Sequence, residues 1–132
     1  MKAFGALAAG CVLWATAAHS QAGYRSEDCG RYMVQMEMNQ CAERNFQAAD
    51  DALNQLYRQV MDATRTPAAR QSLIADERVW ITERDARCAR EAGPRETGGS
   101  IWPLEFATCQ TRETNARIFF LQRQLARTSG RL

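Results

Sequence analysis

From Met38 onward the chain places apolar or small residues at Met38, Ala42, Phe46, Ala49, Leu53, Leu56 and Val60. The steps alternate between four and three residues, the spacing that lines one face of an α-helix. Charged residues such as Glu37, Glu43, Arg44, Asp51, Arg58 and Asp62 fall mostly off that face. The pattern predicts a helix that begins between Arg31 and Gln35 and ends around Ala63. Such a helix owes most of its stability to whatever covers its stripe, so the chain must supply a partner surface.

Two further segments can do so. "TRTP" breaks the first helix, and Thr66 with Pro67 then fits the N-cap and first turn of a second. This helix carries Leu73, Ile74, Trp80, Ile81 and Cys88 on one side and stops at Gly93-Pro94. A third starts near Trp102-Pro103, presents Leu104, Ala107, Thr111, Thr114, Ile118, Leu121 and Leu125, and ends at Thr128-Ser129-Gly130. No segment sustains the period-two alternation of a half-buried strand. Three amphipathic helices with no sheet can bury their stripes only against one another, so the expected fold is all-α, an antiparallel three-helix bundle.

The first 22 residues read as a signal peptide and not as part of this bundle. Lys2 is followed by an apolar, alanine-rich run from Ala3 to Ala18, with small residues at Ala18, Ser20 and Ala22 suited to cleavage. Lipid attachment at Cys11 is the weaker alternative. Ala8-Ala9-Gly10 are suitably small, but the usual leucine is missing and Val12, Leu13 and Trp14 prolong the apolar run. The expected mature chain spans residues 23–132, a single periplasmic or secreted domain with no transmembrane segment. Lys2 is the only lysine, so the mature chain balances 16 arginines against 15 acidic residues. A net charge near +1 argues against a dedicated nucleic-acid binder.

Removing Cys11 leaves Cys29, Cys41, Cys88 and Cys109, an even number that in an exported chain of this size reads as two disulfides. No pair has the C-x-x-C spacing of a zinc site, and His19, the only histidine, leaves with the signal. No metal or cofactor is therefore expected. Three connectivities remain open. The two that link distant segments would constrain the unfolded chain most.

Several charged residues interrupt the stripes. Glu77, Arg84 and Cys88 continue the spacing through Ile74 and Ile81, while Asp50, Asn54, Asp85 and Arg117 lie beside core positions. Charges near a core must be paired, and the arginine fork suits a carboxylate. Asp50, Asn54, Arg84, Asp85 and Arg117 are thus expected to form a structural polar network. Removal of Arg84 should strand a carboxylate, whereas Arg58 reads as surface. Asp50 and Asp85 as a catalytic acid pair would need a cleft, which three packed helices do not obviously offer.

These residues also carry a resemblance. "MNQCAERNFQAADDALNQLY", "ERVWITERDARC", "GGSIWP" and "CQTRETNARIFFL", in that order, resemble the bacterial LprI-like lysozyme-inhibitor family. The shared features include Asn39-x-Cys41-Ala42, Ala49-Asp50, Leu53-Asn54, Tyr57, Arg78-x-Trp80, Arg84-Asp85-x-x-Cys88, Gly98-Gly99-Ser100, Cys109, Thr114 and Arg117. Glu77 departs from the pattern, standing where glutamine is expected. The resemblance implies an exported, helical, cysteine-bonded domain whose partner is a protein, a lysozyme.

One long irregular connection, Glu91 to Ile101, is the place for such a contact, because loops on rigid scaffolds commonly carry binding. Cys88 and Cys109 bracket it, Gly98 and Gly99 permit unusual backbone angles, and Arg95 and Ser100 offer donors to a carboxylate-lined cleft. Trp102 reads first as a cap on the core and second as a binding anchor. Acidic residues such as Glu37, Glu43, Asp51, Asp76 and Glu83 would have to face a basic lysozyme. The alternative is a periplasmic interaction or structural module with no enzyme target. An enzyme has little support, with no histidine, no free cysteine and no phosphate-binding glycine motif.

Overall fold

A computed structural model describes residues 24–130. Helix α1 spans Gln35–Ala63, α2 spans Pro67–Ala92 and α3 spans Trp102–Thr128. Single 3₁₀ turns lie at Cys29–Arg31 and Gly99–Ile101. The signal peptide and the Cys11 question lie outside the described residues. No strand is present among those residues, and none of their helices is long and apolar enough to cross a membrane.

The boundaries follow local chemistry. Thr66 caps α2, its hydroxyl accepting a hydrogen bond from the Ala69 N–H at 3.2 Å, with Pro67 beginning the first turn. Gly93 ends α2 with φ of +74°, a conformation that side chains disfavour. The chain then returns through residues 93–101, so α1 and α3 run parallel, with α2 antiparallel to both. Asn39 accordingly meets Ser100 near the start of α1, whereas Val60 and Phe120 border one groove near its end.

α3 is the hub. It packs along α1 and, less extensively, against α2, while the backbones of α1 and α2 stay farther apart. The half of the bundle near the α1–α2 turn has the larger apolar core, made of Leu53, Leu56, Val60, Leu73, Ile118 and Leu121. Toward the other end the buried positions are Ala42, Ala49, Ala107, Thr111 and Thr114, small residues that permit α1 and α3 to approach closely. Disulfides reinforce that end. Cys29 pairs with Cys41, tying the N-terminal strap (residues 24–34) to α1, and Cys88 pairs with Cys109, tying α2 to α3. This is the connectivity that closes the short loops, 12 and 21 residues apart in sequence, and not either of the long-range alternatives.

The α1 and α3 stripes lie where the spacing put them. On α2 the apolar reading is partly corrected. Its buried positions are Leu73, Glu77, Arg84 and Cys88, and the face passes through half-buried Trp80, leaving Ile81 40% exposed. A helix whose covered face is half polar gives a weak periodic signal.

Candidate functional site

Two arginines fill the space that α1 and α2 leave between their backbones. Arg84 is buried, and its Nη1 donates to Asp50 Oδ1 at 3.3 Å and to the Thr114 hydroxyl at 3.4 Å. Its Nε donates to Asp85 Oδ1 at 2.9 Å, which also accepts from Gln110. Asn54, exposed, joins only by donating to Asp50. Arg117 stands apart from this group and donates from Nε and Nη2 to Glu77 Oε2, at 3.0 and 2.7 Å, and from Nη2 to Asp76. Trp80 lies between the two cations, with Phe46 beyond Arg84 and Phe120 beyond Arg117, each guanidinium within 5.4 Å of its ring centroids. The expected network is therefore two networks joined by an aromatic ring.

The burial of their carboxylates separates them. Asp50 and Asp85 are 39% and 46% exposed, so water can hydrate them if Arg84 is lost. Glu77 is only 11% exposed, which makes Arg117 the cation whose loss strands a charge. Desolvation works against the charged form of Arg117, yet hydrogen bonds to Asp76 and Glu77 outweigh it and raise its pKa. Tyr57, half-buried nearby, is also pushed up, first by burial and then by the Glu77 charge. Asp50 and Asp85 share a guanidinium and face no common substrate space, which is the geometry of a brace.

The loop end of the bundle is built differently. The Trp102 indole N–H donates to the Gly93 carbonyl at 2.8 Å, pinning the end of α2 to the start of α3. Its ring stacks on Phe106 with centroids 4.7 Å apart, and the Arg95 guanidinium covers it at 5.2 Å. A side chain at Gly98 would place its Cβ 2.4 Å from Trp102 Cδ1, so only glycine fits beside the ring. Gly99, with φ of +63°, starts the 3₁₀ turn. Asn39 on α1 closes the third side by donating to the Ser100 carbonyl at 2.9 Å. Arg95, Gly98, Gly99, Ser100 and Trp102 thus form one unit, with Arg95, Gly99 and Ser100 exposed and Trp102 half-buried.

Residues 26–121 match the family model described as lysozyme inhibitor LprI. The chain belongs to the LprI family. An uncharacterized protein of Rhizobium meliloti (strain 1021) is 32% identical to this LprI-family chain over 102 residues, 68% of this chain and 73% of that protein. No solved structure matches it.

Sequence reasoning missed Asn45. This buried residue on α1 accepts hydrogen bonds from the Tyr24 hydroxyl and the Glu27 N–H and donates to the Glu27 carbonyl and Cys29 Sγ. It is the peg on which the N-terminal strap hangs. Its place on the buried stripe, four residues after Cys41, was the available signal. Glu77 appeared in the sequence as a stripe residue, without its partner across 40 positions. No group of three or more histidine, cysteine or acidic residues among those described is placed to hold a metal ion.

Proposed function

We propose that this LprI-family protein acts outside the cytoplasm as an inhibitor of a lysozyme or similar wall-degrading enzyme, contacting it through the connection between α2 and α3. The family match supports the activity, and the two disulfides suit an oxidising compartment.

The observation that carries the choice of surface is the clamped loop. The Cys88–Cys109 disulfide lies at its base, the Trp102 indole ties its ends, and Asn39 ties it to α1. A loop held this way loses little conformational freedom on binding, which favours affinity. Apolar side chains surround it. Met33, Val34, Met36 and Ile101 are 93%, 51%, 63% and 44% exposed, half of the large hydrophobics exposed among the described residues. Asn39 links this start of α1 directly to Ser100, so the apolar side chains and the loop belong to one end of the bundle. Exposed Glu37, Glu96 and Glu105 at the same end suit the rim of a basic enzyme, while Arg95 and the Ser100 hydroxyl offer donors to carboxylates in its cleft.

The test is a wall-lysis assay with the purified, oxidised chain against lysozymes of several classes. Arg95→Ala with Ser100→Ala should leave the helices intact, because Ser100 binds Asn39 through its backbone carbonyl alone. Inhibition should weaken at least about tenfold, or about 1.4 kcal/mol. A double variant that inhibits like its parent reduces the loop to a connector. A parent that inhibits no lysozyme leaves an interaction module without an enzyme target as the better reading.

A further inference from the structure

At the end of the bundle opposite the loop, about 40 Å away along α1, the three helices part around a groove of about 830 Å³. That is the size of a small-ligand site. Val60, Leu73 and Phe120 supply its apolar surface. Arg65 and Arg127 line it as well, both exposed and neither in an ion pair among the described residues. Arg70, by contrast, is occupied with the Thr64 carbonyl, and Asp76 with Arg117.

The field in the groove favours an anion. Thr66 and Ala69 on its wall belong to the N-terminal turn of α2, the positive end of that helix's dipole. The C-terminal end of α3 opposes this effect, and Arg127 in its last turn offsets that opposition. A third polar group needs a different partner. Gln124 lines the groove, and its Oε1 is buried with no hydrogen-bond partner among the described residues. Turning its amide toward the groove would let this acceptor meet an N–H.

We propose that the groove binds the C-terminal end of a short peptide with an apolar last residue. The carboxylate sits between Arg65 and Arg127, the apolar side chain rests on Leu73 and Phe120, and the last peptide N–H donates to Gln124. Paired guanidiniums hold a carboxylate by charge-assisted hydrogen bonds, and capture of a terminal carboxylate is a known mode of peptide recognition. This site shares no residue with the loop and does not rest on the inhibitor reading.

Calorimetric titration of the oxidised full chain with N-acetyl-Ala-Ala-Leu as the free acid tests it, with the C-terminal carboxamide as the comparison. The acid should bind saturably and at least tenfold more tightly than the amide. Arg65→Ala with Arg127→Ala should erase that preference, and Ala69→Trp, which fills the groove from an exposed position, should abolish binding. All variants should keep the parent circular dichroism and the parent behaviour in the wall-lysis assay. Absence of saturable binding, equal binding of acid and amide, or unchanged binding by the double arginine variant would each overturn the proposal. The acid–amide comparison needs no variant, so it decides even if a substitution unfolds the chain.

Discussion

Replacing Arg117 with methionine keeps most of the apolar stem and removes the charge. Glu77, 11% exposed, is then left with a buried carboxylate whose guanidinium partner is gone. Breaking a buried pair in this way costs about 3–5 kcal/mol. Arg84→Met removes a cation just as buried, but its partners Asp50 and Asp85 are 39% and 46% exposed and hydrate on their own. Its loss forfeits contacts with the Phe46 and Trp80 rings and a long bond to Thr114, together about 1–2 kcal/mol. The gap between the variants is therefore about 2 kcal/mol. In urea, with a slope of about 1–2 kcal/mol per molar for a domain this size, the midpoints should differ by about 1 M or more. Arg117→Met with Glu77→Leu removes both charges and should recover most of the loss, because desolvation of the pair is no longer required. A stranded carboxylate can also escape by taking up a proton, so the Arg117→Met deficit should narrow as the pH falls. Equal midpoints for Arg84→Met and Arg117→Met, or a double variant no better than Arg117→Met, would refute the assignment of the buried charge to Glu77.

Peptide mapping of exported, unreduced protein should recover Cys29 linked to Cys41 and Cys88 linked to Cys109 with no free thiol; closing loops of this length is worth about 3 kcal/mol each. Gly98→Ala should displace the Trp102 ring, costing about 1–3 kcal/mol as overpacking does and altering near-ultraviolet circular dichroism; an unchanged spectrum would contradict the 2.4 Å approach. Acid should loosen both ends of the chain's tethering. A hydrogen bond from the Tyr32 hydroxyl lowers the Glu27 pKa, and one from Arg112 lowers that of Glu91, each from an ordinary value of 4.5. Groups depressed on folding stabilise above their unfolded pKa and lose that contribution as pH falls through the folded value. The melting temperature should thus hold above about pH 5 and decline below 4.5, with a smaller decline in Glu27→Gln/Glu91→Gln; an equal decline would remove these two carboxylates from the acid response.

The bundle was legible because α1 is an unambiguous amphipathic helix and because Thr66-Pro67, Gly93-Pro94 and Trp102-Pro103 punctuate the rest. The two errors on α2 and in the network share a cause. Spacing along a helix locates its covered face from apolar residues, and α2 covers a face that is half polar. Ile81 was assigned inward because it is apolar, when Trp80 and the stems of Arg84 and Arg117 occupy that space. The sequence showed that Arg117 lies near the core. It had no means of showing that its partner is Glu77, 40 residues away, and not Asp50 or Asp85. Disulfide pairing was hidden for the same reason: loop-closure entropy ranks connectivities in the unfolded chain, whereas pairing is decided by which helices meet.

The two ends of the molecule divide rigidity between them in a way that bears on where a partner can bind. At the loop end, both disulfides, the Asn45 peg and the Trp102 clamp hold a surface from which apolar side chains project. Small buried residues there bring α1 and α3 close, so the end presents a narrow, stiff projection. At the opposite end, larger apolar residues hold the helices together without covalent links, and the helices spread around an open groove. A narrow projection suits insertion into another protein's cleft, and a groove suits reception of a small ligand. The Glu77–Arg117 pair lies between them, beside Phe120, whose ring both covers the Arg117 guanidinium and borders the groove. A ligand that moves Phe120 would therefore be felt first at this buried pair, so Arg117→Met should alter groove binding while leaving the loop's contacts in place.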